Sequence, residues 1–190
     1  ISHLISMGLD TILIARNFGL YEVSIYGITR QIFSILYFVP LLAMPFWPAF
    51  SEALANREFN WVKKTYFKLT ILTTSITITF CILFSLFGKI IISFWVGESL
   101  IPSNFLIFSF SIYWIAYAFS QPGLYLMQTD GFKNFLLLLT VIFCLFILFF
   151  KILFIKELGI SGVVVINCLG YILFLIIPVI IYLRRKLTNH

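Results

Sequence analysis

Apolar residues dominate the chain in long blocks separated by short polar punctuation. Six blocks cover about residues 1–15, 23–48, 69–96, 104–127, 135–155 and 162–183. The last five reach or exceed the roughly 20 residues that an α-helix needs to cross a hydrocarbon core. The first would span only about 22 Å, less than the roughly 30 Å required, so its missing turns are expected upstream of Ile1. Strands of a membrane barrel would be about 9–11 residues with alternating polarity. Thr70–Thr79 alternates in part, but it sits inside a much longer apolar run, and length decides for a helix. No short repeat or low-complexity linker divides the chain, which predicts one domain over residues 1–190.

The punctuation is typical of turns: residues 16–22, 97–103, 128–134 and 156–161 are short and hold Gly, Pro, Asp or Asn. Residues 49–68 are longer and mix charges with Phe50, Leu54, Trp61 and Val62, which predicts an amphipathic helix lying in the membrane interface. Three prolines, Pro40, Pro45 and Pro48, predict a kink and helix exit, with Trp47 in the aromatic belt or the region acting as a hinge. Gln121-Pro122-Gly123 is expected to interrupt its helix, as a plain kink or as a discontinuity of the kind found at transporter sites. Thr70, Thr73, Thr74, Thr77 and Cys81 form a small, mildly polar stripe, suited to close helix packing or to lining a lumen.

Composition sharpens this picture. The 190 residues are 62% hydrophobic, 19% aromatic and 11% charged, and mean hydropathy is +1.08. A soluble domain carries about 25% charged residues. The composition excludes a soluble globular enzyme, a disordered tail and a nucleic-acid-binding domain. The net charge of +6 then concerns topology. Arg57, Lys63, Lys64, Lys68, Lys133, Arg184, Arg185 and Lys186 fall on one side of the alternating segments. Arg16, Lys89, Lys151 and Lys156 fall on the other, with Lys89 and Lys151 at segment ends where they would snorkel. This bias predicts a cytoplasmic C-terminus and a cytoplasmic 49–68 loop. Cys81, Cys144 and Cys168 lie in apolar runs and read as small core residues.

Candidate chemistry is sparse. Asp10 and Arg30 sit deep in apolar segments, where a charge costs at least ~2.5 kcal/mol. Their positions on adjacent antiparallel segments, about 9 and 12 Å from the shared turn, would let them meet. They are either a buried structural pair, or an anion site at Arg30 with Asp10 as its switchable partner or as an ion or proton site. Asn167 either lines a cavity or bonds a neighbour. No His/Cys/carboxylate cluster has metal-ligand spacing, His3 and His190 stand at the termini, and no phosphate-binding loop or activated nucleophile appears. No catalytic residue, cofactor or metal is expected.

The stretch Trp47-Pro48-Ala49-Phe50-Ser51-Glu52-Ala53, followed by Trp61-Val62-Lys63-Lys64, resembles the bacterial polysaccharide-biosynthesis flippases. These Wzx-type O-antigen exporters belong to the multidrug/oligosaccharidyl-lipid/polysaccharide exporter superfamily. Asp10-Thr11-Ile12-Leu13-Ile14, Gly19, and Tyr26 four residues before Arg30 resemble the same family's seventh and eighth helices. The likeness covers about residues 8–68. Asn56-Arg57-Glu58 departs from it, because relatives carry a basic-Gly-acidic turn there. The resemblance implies an all-α membrane protein: six transmembrane helices forming the second bundle of a twelve-helix transporter in the bacterial inner membrane. Its partners would be membrane lipids, the missing N-terminal six-helix half, and an undecaprenyl-pyrophosphate-linked oligosaccharide moved by alternating access. Arg30, Asp10, Tyr26 and Asn167 are the implied substrate or ion residues. A small-molecule or multidrug exporter of the same superfamily is one rival, and a membrane glycosyltransferase or polymerase another, although the outer loops are short for a catalytic site.

Overall fold

A computed structural model describes residues 2–129 and 133–188. Ile1, His190 and the centre of the 128–134 connection lie outside the described residues, as do the side chains of His3, Arg185 and Lys186. The described chain is helical, with no strand among its residues. Helix α1 is Ser2–Phe18, and α2 is Leu20–Phe33, continued by a 3-10 turn over Ser34–Tyr37 and one α-turn over Phe38–Leu41. Then come α3 (Phe46–Ala55), α4 (Phe59–Val96), α5 (Asn104–Thr129) and α6 (Lys133–Tyr171). A π-turn over Ile172–Ile176 leads into α7 (Ile177–Thr188).

Three of these stretches are long and apolar enough to cross a membrane: Leu20–Ala55, Phe59–Val96 and Lys133–Tyr182. Their outer faces carry exposed Phe, Leu and Ile in a density that water would not tolerate, Phe94 at 95% and Ile90 at 65% among them. The chain is a membrane protein. Helix α5 is long enough at 26 residues but too rich in Ser, Tyr and Gln to be among the three. It is the central helix, packed chiefly against α4 and α6.

Two glycines shape the architecture. Gly19, at φ 90, alone separates α1 from α2, where the sequence predicted a seven-residue loop. Gly159, at φ 64 and ψ −165, breaks the 39-residue α6. That conformation is open to glycine and costly to other residues. The two arms fold back on each other, Phe143 meeting Tyr171 at 6.0 Å and Phe146 meeting Phe174 at 5.1 Å between ring centroids. The predicted 156–161 loop is thus compressed into a single residue.

The amphipathic 49–68 loop is corrected as well. Residues 59–68 are the opening turns of α4, and only Phe46–Ala55 forms a separate short helix. Phe50 and Val62 do share a side, but that side faces a core cluster with Tyr66, Leu69, Met127 and Val179 rather than a bilayer surface. The reversal between α3 and α4 places Arg57 at φ 60. This is the left-handed conformation for which glycine is the usual solution. The non-glycine residue at this point therefore keeps the turn and accepts the strain. The proline series does not end the helix as expected: Leu20–Ala55 runs on as one helical stretch, tightened to three-residue hydrogen bonds over Ser34–Tyr37 and Leu42–Trp47. Such bonds continue the coil where proline has no N–H to give. Trp47 is 41% exposed.

Gln121-Pro122-Gly123 does not interrupt α5, which runs unbroken with Pro122 inside it. Neighbouring helices account for this. Pro122 has no N–H to give to the carbonyl of Ala118 four residues earlier. Thr73 Oγ1 of α4 lies 3.3 Å from that oxygen and shares with it the proton that it gives to Leu69 O at 2.9 Å, so an adjacent helix partly satisfies the freed group. Gln121 donates to the Tyr171 hydroxyl at 2.8 Å. Gly123 allows close approach: a Cβ there would stand 2.3 Å from Val179 Cγ1. The Thr70–Cys81 stripe is accordingly a packing seam. Thr70, Thr73, Thr77 and Cys81 are buried. The three hydroxyls bond backbone carbonyls one turn back, and Cys81 Sγ approaches Ser111 O at 3.8 Å.

Two outcomes test these assignments by unfolding in detergent. Thr73→Val should cost about 1 kcal/mol, and less in a Pro122→Ala background, where the backbone donor is restored. Arg57→Gly should be neutral or stabilising by up to about 1 kcal/mol, whereas Arg57→Val should destabilise by about 1–2 kcal/mol.

Candidate functional site

Depth along the helices decides which polar residues can meet. Asp10 lies nine positions before the Gly19 turn and Tyr26 seven after it. Lys151 lies eight positions before the Gly159 turn and Asn167 eight after it. At 1.5 Å per residue all four stand about 10–14 Å from the two turns. Helix α1 packs against α6, so two helical hairpins bring four polar side chains to one level.

They converge on Asp10. The Lys151 ammonium donates to Asp10 Oδ1 and forms a salt bridge with it. The Tyr26 hydroxyl donates to Oδ2 at 2.7 Å, and Asn167 Nδ2 donates to the same oxygen at 3.0 Å. Exposure is 0% for Asp10, and 1%, 1% and 2% for Lys151, Tyr26 and Asn167. Tyr26 is steadied by Phe110, whose ring centre is 5.4 Å away. The cluster is closed to solvent, and each of its four side chains has a polar partner. Its pairing differs from the sequence expectation, in which Arg30 was the candidate partner of Asp10 and Lys151 snorkelled from a segment end. Lys151 has no end to snorkel to, because the helix runs on to Gly159 before it turns.

Asp10, Tyr26 and Asn167, named above as candidate substrate or ion residues, are brought together by hydrogen bonds, and Lys151, which the sequence reading placed at a segment end, joins them. The signal was present: a lone Lys in an unbroken apolar run, placed symmetrically with Asn167 about Gly159. Reading it required knowing that Gly159 is the fold-back point.

Arg30 belongs to a different place. It is half-buried and lines a cavity of about 730 Å³ together with Gly8, Ser24, Gly27, Gln31, Ser34 and Tyr37. Ser24, Gly27, Gln31 and Ser34 recur at intervals of three and four, so they form one face of α2. From Ser24 to Tyr37 the lining runs about 20 Å along the helix. Leu100 closes one end, near the point where the Tyr21 hydroxyl donates to the Ser99 carbonyl. A Cβ added at Gly8 or Gly27 would meet nothing within 4 Å, so these glycines leave a bare floor. The Ser24 and Ser34 hydroxyls donate to the backbone carbonyls of Leu20 and Gln31 at 3.0 and 2.6 Å. Their oxygens can still accept from a ligand. The groove is therefore lined by a guanidinium, an amide, hydroxyls and a phenol ring, chemistry that suits an anionic, hydroxyl-rich group. Tyr37 is backed by Trp114, with ring centres 4.6 Å apart and nearly perpendicular.

Comparison with protein-family models gave no match, and searches of curated proteins and of solved structures gave none either.

The cluster makes a clear energetic statement. A buried pair that loses one partner leaves an uncompensated charge and costs about 3–5 kcal/mol. Asp10→Asn and Lys151→Met should each destabilise the folded protein on that scale, and the double variant by much less than their sum, as read from detergent unfolding curves. Asn167→Leu should cost about 1–3 kcal/mol, because it removes one of three donors to a buried carboxylate.

Proposed function

We propose that this chain is one six-helix bundle of a twelve-helix exporter. It would flip an undecaprenyl-pyrophosphate-linked oligosaccharide across the bacterial inner membrane by alternating access, with its C-terminus in the cytoplasm. The observation that carries this reading is the groove along α2. A cation, an amide and hydroxyls set on an open face of a spanning helix would be costly against lipid. Such a face is suited to a watery passage shared with a second bundle. In this reading Arg30 meets the negative charge of the headgroup, its pyrophosphate or an acidic sugar, and the lipid tail stays in the bilayer. The sequence likeness over residues 8–68 points the same way.

The buried cluster changes the part assigned to Asp10. Its carboxylate is spent on Lys151, Tyr26 and Asn167. Asp10 thus acts as the strut that fixes the α1–α2 hairpin against α6, and Tyr26 and Asn167 are positioning residues of that strut. Arg30 and the groove carry the contact with substrate. A drug extruder of cationic compounds is disfavoured by the same groove, where the ionic side chain among the described lining residues is an arginine.

The test is a flipping assay in the intact protein. Arg30→Ala should lower transport at least tenfold, with Arg30→Lys intermediate. Gly27→Leu should block the groove while leaving the fold intact, since a side chain there meets open space and leucine favours the helix. Undiminished transport in both Arg30→Ala and Gly27→Leu would remove the groove from the mechanism.

A further inference from the structure

We propose that a second, smaller cleft at the opposite end of the fold binds the headgroup of an anionic membrane phospholipid. This cleft has a volume of about 300 Å³ and is lined by Trp47, Gln128, Lys133, Leu136, Leu137 and Thr140. Three separate elements build it: the first turn of α3, the last turn of α5 and the first two turns of α6. All three lie at the end away from the Gly19 and Gly159 turns.

The lining is graded with depth. Lys133, Gln128 and Trp47 stand at the mouth, where the helices start and end. Leu136 and Leu137 form the wall one turn further in, and Thr140 lies about 10 Å beyond Lys133 along the helix axis. A phospholipid has the same gradient: a charged phosphate, then an uncharged linkage, then methylenes. The Lys133 ammonium offers three donors to phosphate oxygens and the Gln128 amide two more. The Trp47 indole suits the boundary between headgroups and hydrocarbon.

Charge complementarity selects an anionic occupant. Lys63, Lys64, Lys68, Lys133 and Arg184 are all exposed at this end of the molecule, where the cluster around Phe50, Val62 and Leu136 ties the elements together. Glu52 and Glu58 are the exposed acids near the α3–α4 turn, too few to balance them. Basic groups at a membrane surface attract anionic lipids, each adding about 1 kcal/mol. Among these cations Lys133 alone lines the cleft, so it distinguishes a seated lipid from a diffuse lipid atmosphere.

Native mass spectrometry of the purified intact protein, titrated with equal amounts of phosphatidylglycerol and phosphatidylcholine, tests the site. The wild type should retain one phosphatidylglycerol in preference to phosphatidylcholine. Lys133→Glu should weaken that binding fivefold or more, Lys133→Arg should keep it, and the paired Lys63→Glu/Lys64→Glu variant should leave the first lipid in place. Helical circular dichroism confirms that each variant is folded, and Lys133→Gln replaces Lys133→Glu should the latter misfold. Equal retention of the two lipids, or unchanged phosphatidylglycerol binding in the folded Lys133 charge variant, would overturn the proposal. Because the readout is lipid retention, the result is independent of whether the α2 groove carries substrate.

Discussion

A charge inside a membrane protein has few tolerable arrangements, and Asp10 occupies one of them. Its carboxylate receives an ammonium, a phenol and an amide, contributed by α2 and by both arms of α6. Coulomb attraction strengthens as the local dielectric falls, but so does the cost of removing each charge from water. The balance holds only while every donor is in place. Two hairpins must therefore keep a common depth, and the turns at Gly19 and Gly159 must stay where they are. The rest of the helical packing can be read as the support of that level.

Polar backbone groups obey the same rule. Pro122 frees a carbonyl inside α5, and Thr73 from α4 lies within reach of it. Arg57 shows the converse, since an exposed turn can hold a non-glycine residue in a left-handed conformation. Strain at a wet surface is set by local sterics, whereas an unmet carbonyl in the apolar interior would lack even water as a partner. The protein's local irregularities are thus placed where something nearby can absorb them.

The groove and the cluster divide the ionisable side chains between two tasks. Tyr26 and Arg30 are one turn apart on α2; Tyr26 donates to Asp10, and Arg30 lines the cavity. A buried, hydrogen-bonded level beside a polar groove is a sensible pairing, because a binding surface keeps its geometry only when its supporting shell is locked.

Hydropathy and length made the membrane character, the helical class and the deep placement of Asp10 and Arg30 legible, since the cost of burying polar backbone in lipid leaves few alternatives. The position of the threonine seam could also be read from local residue chemistry. Partner choice could not. Lys151 and Asn167 lie 141 and 157 residues from Asp10, and no local preference encodes which distant helices touch. That Gly159 is a fold-back point, that 59–68 extend α4, and that Pro122 leaves α5 unbroken were likewise decided by tertiary contacts. Those contacts supply the hydrogen bonds and close packing that overrule the local signals of loop, interface helix and helix break.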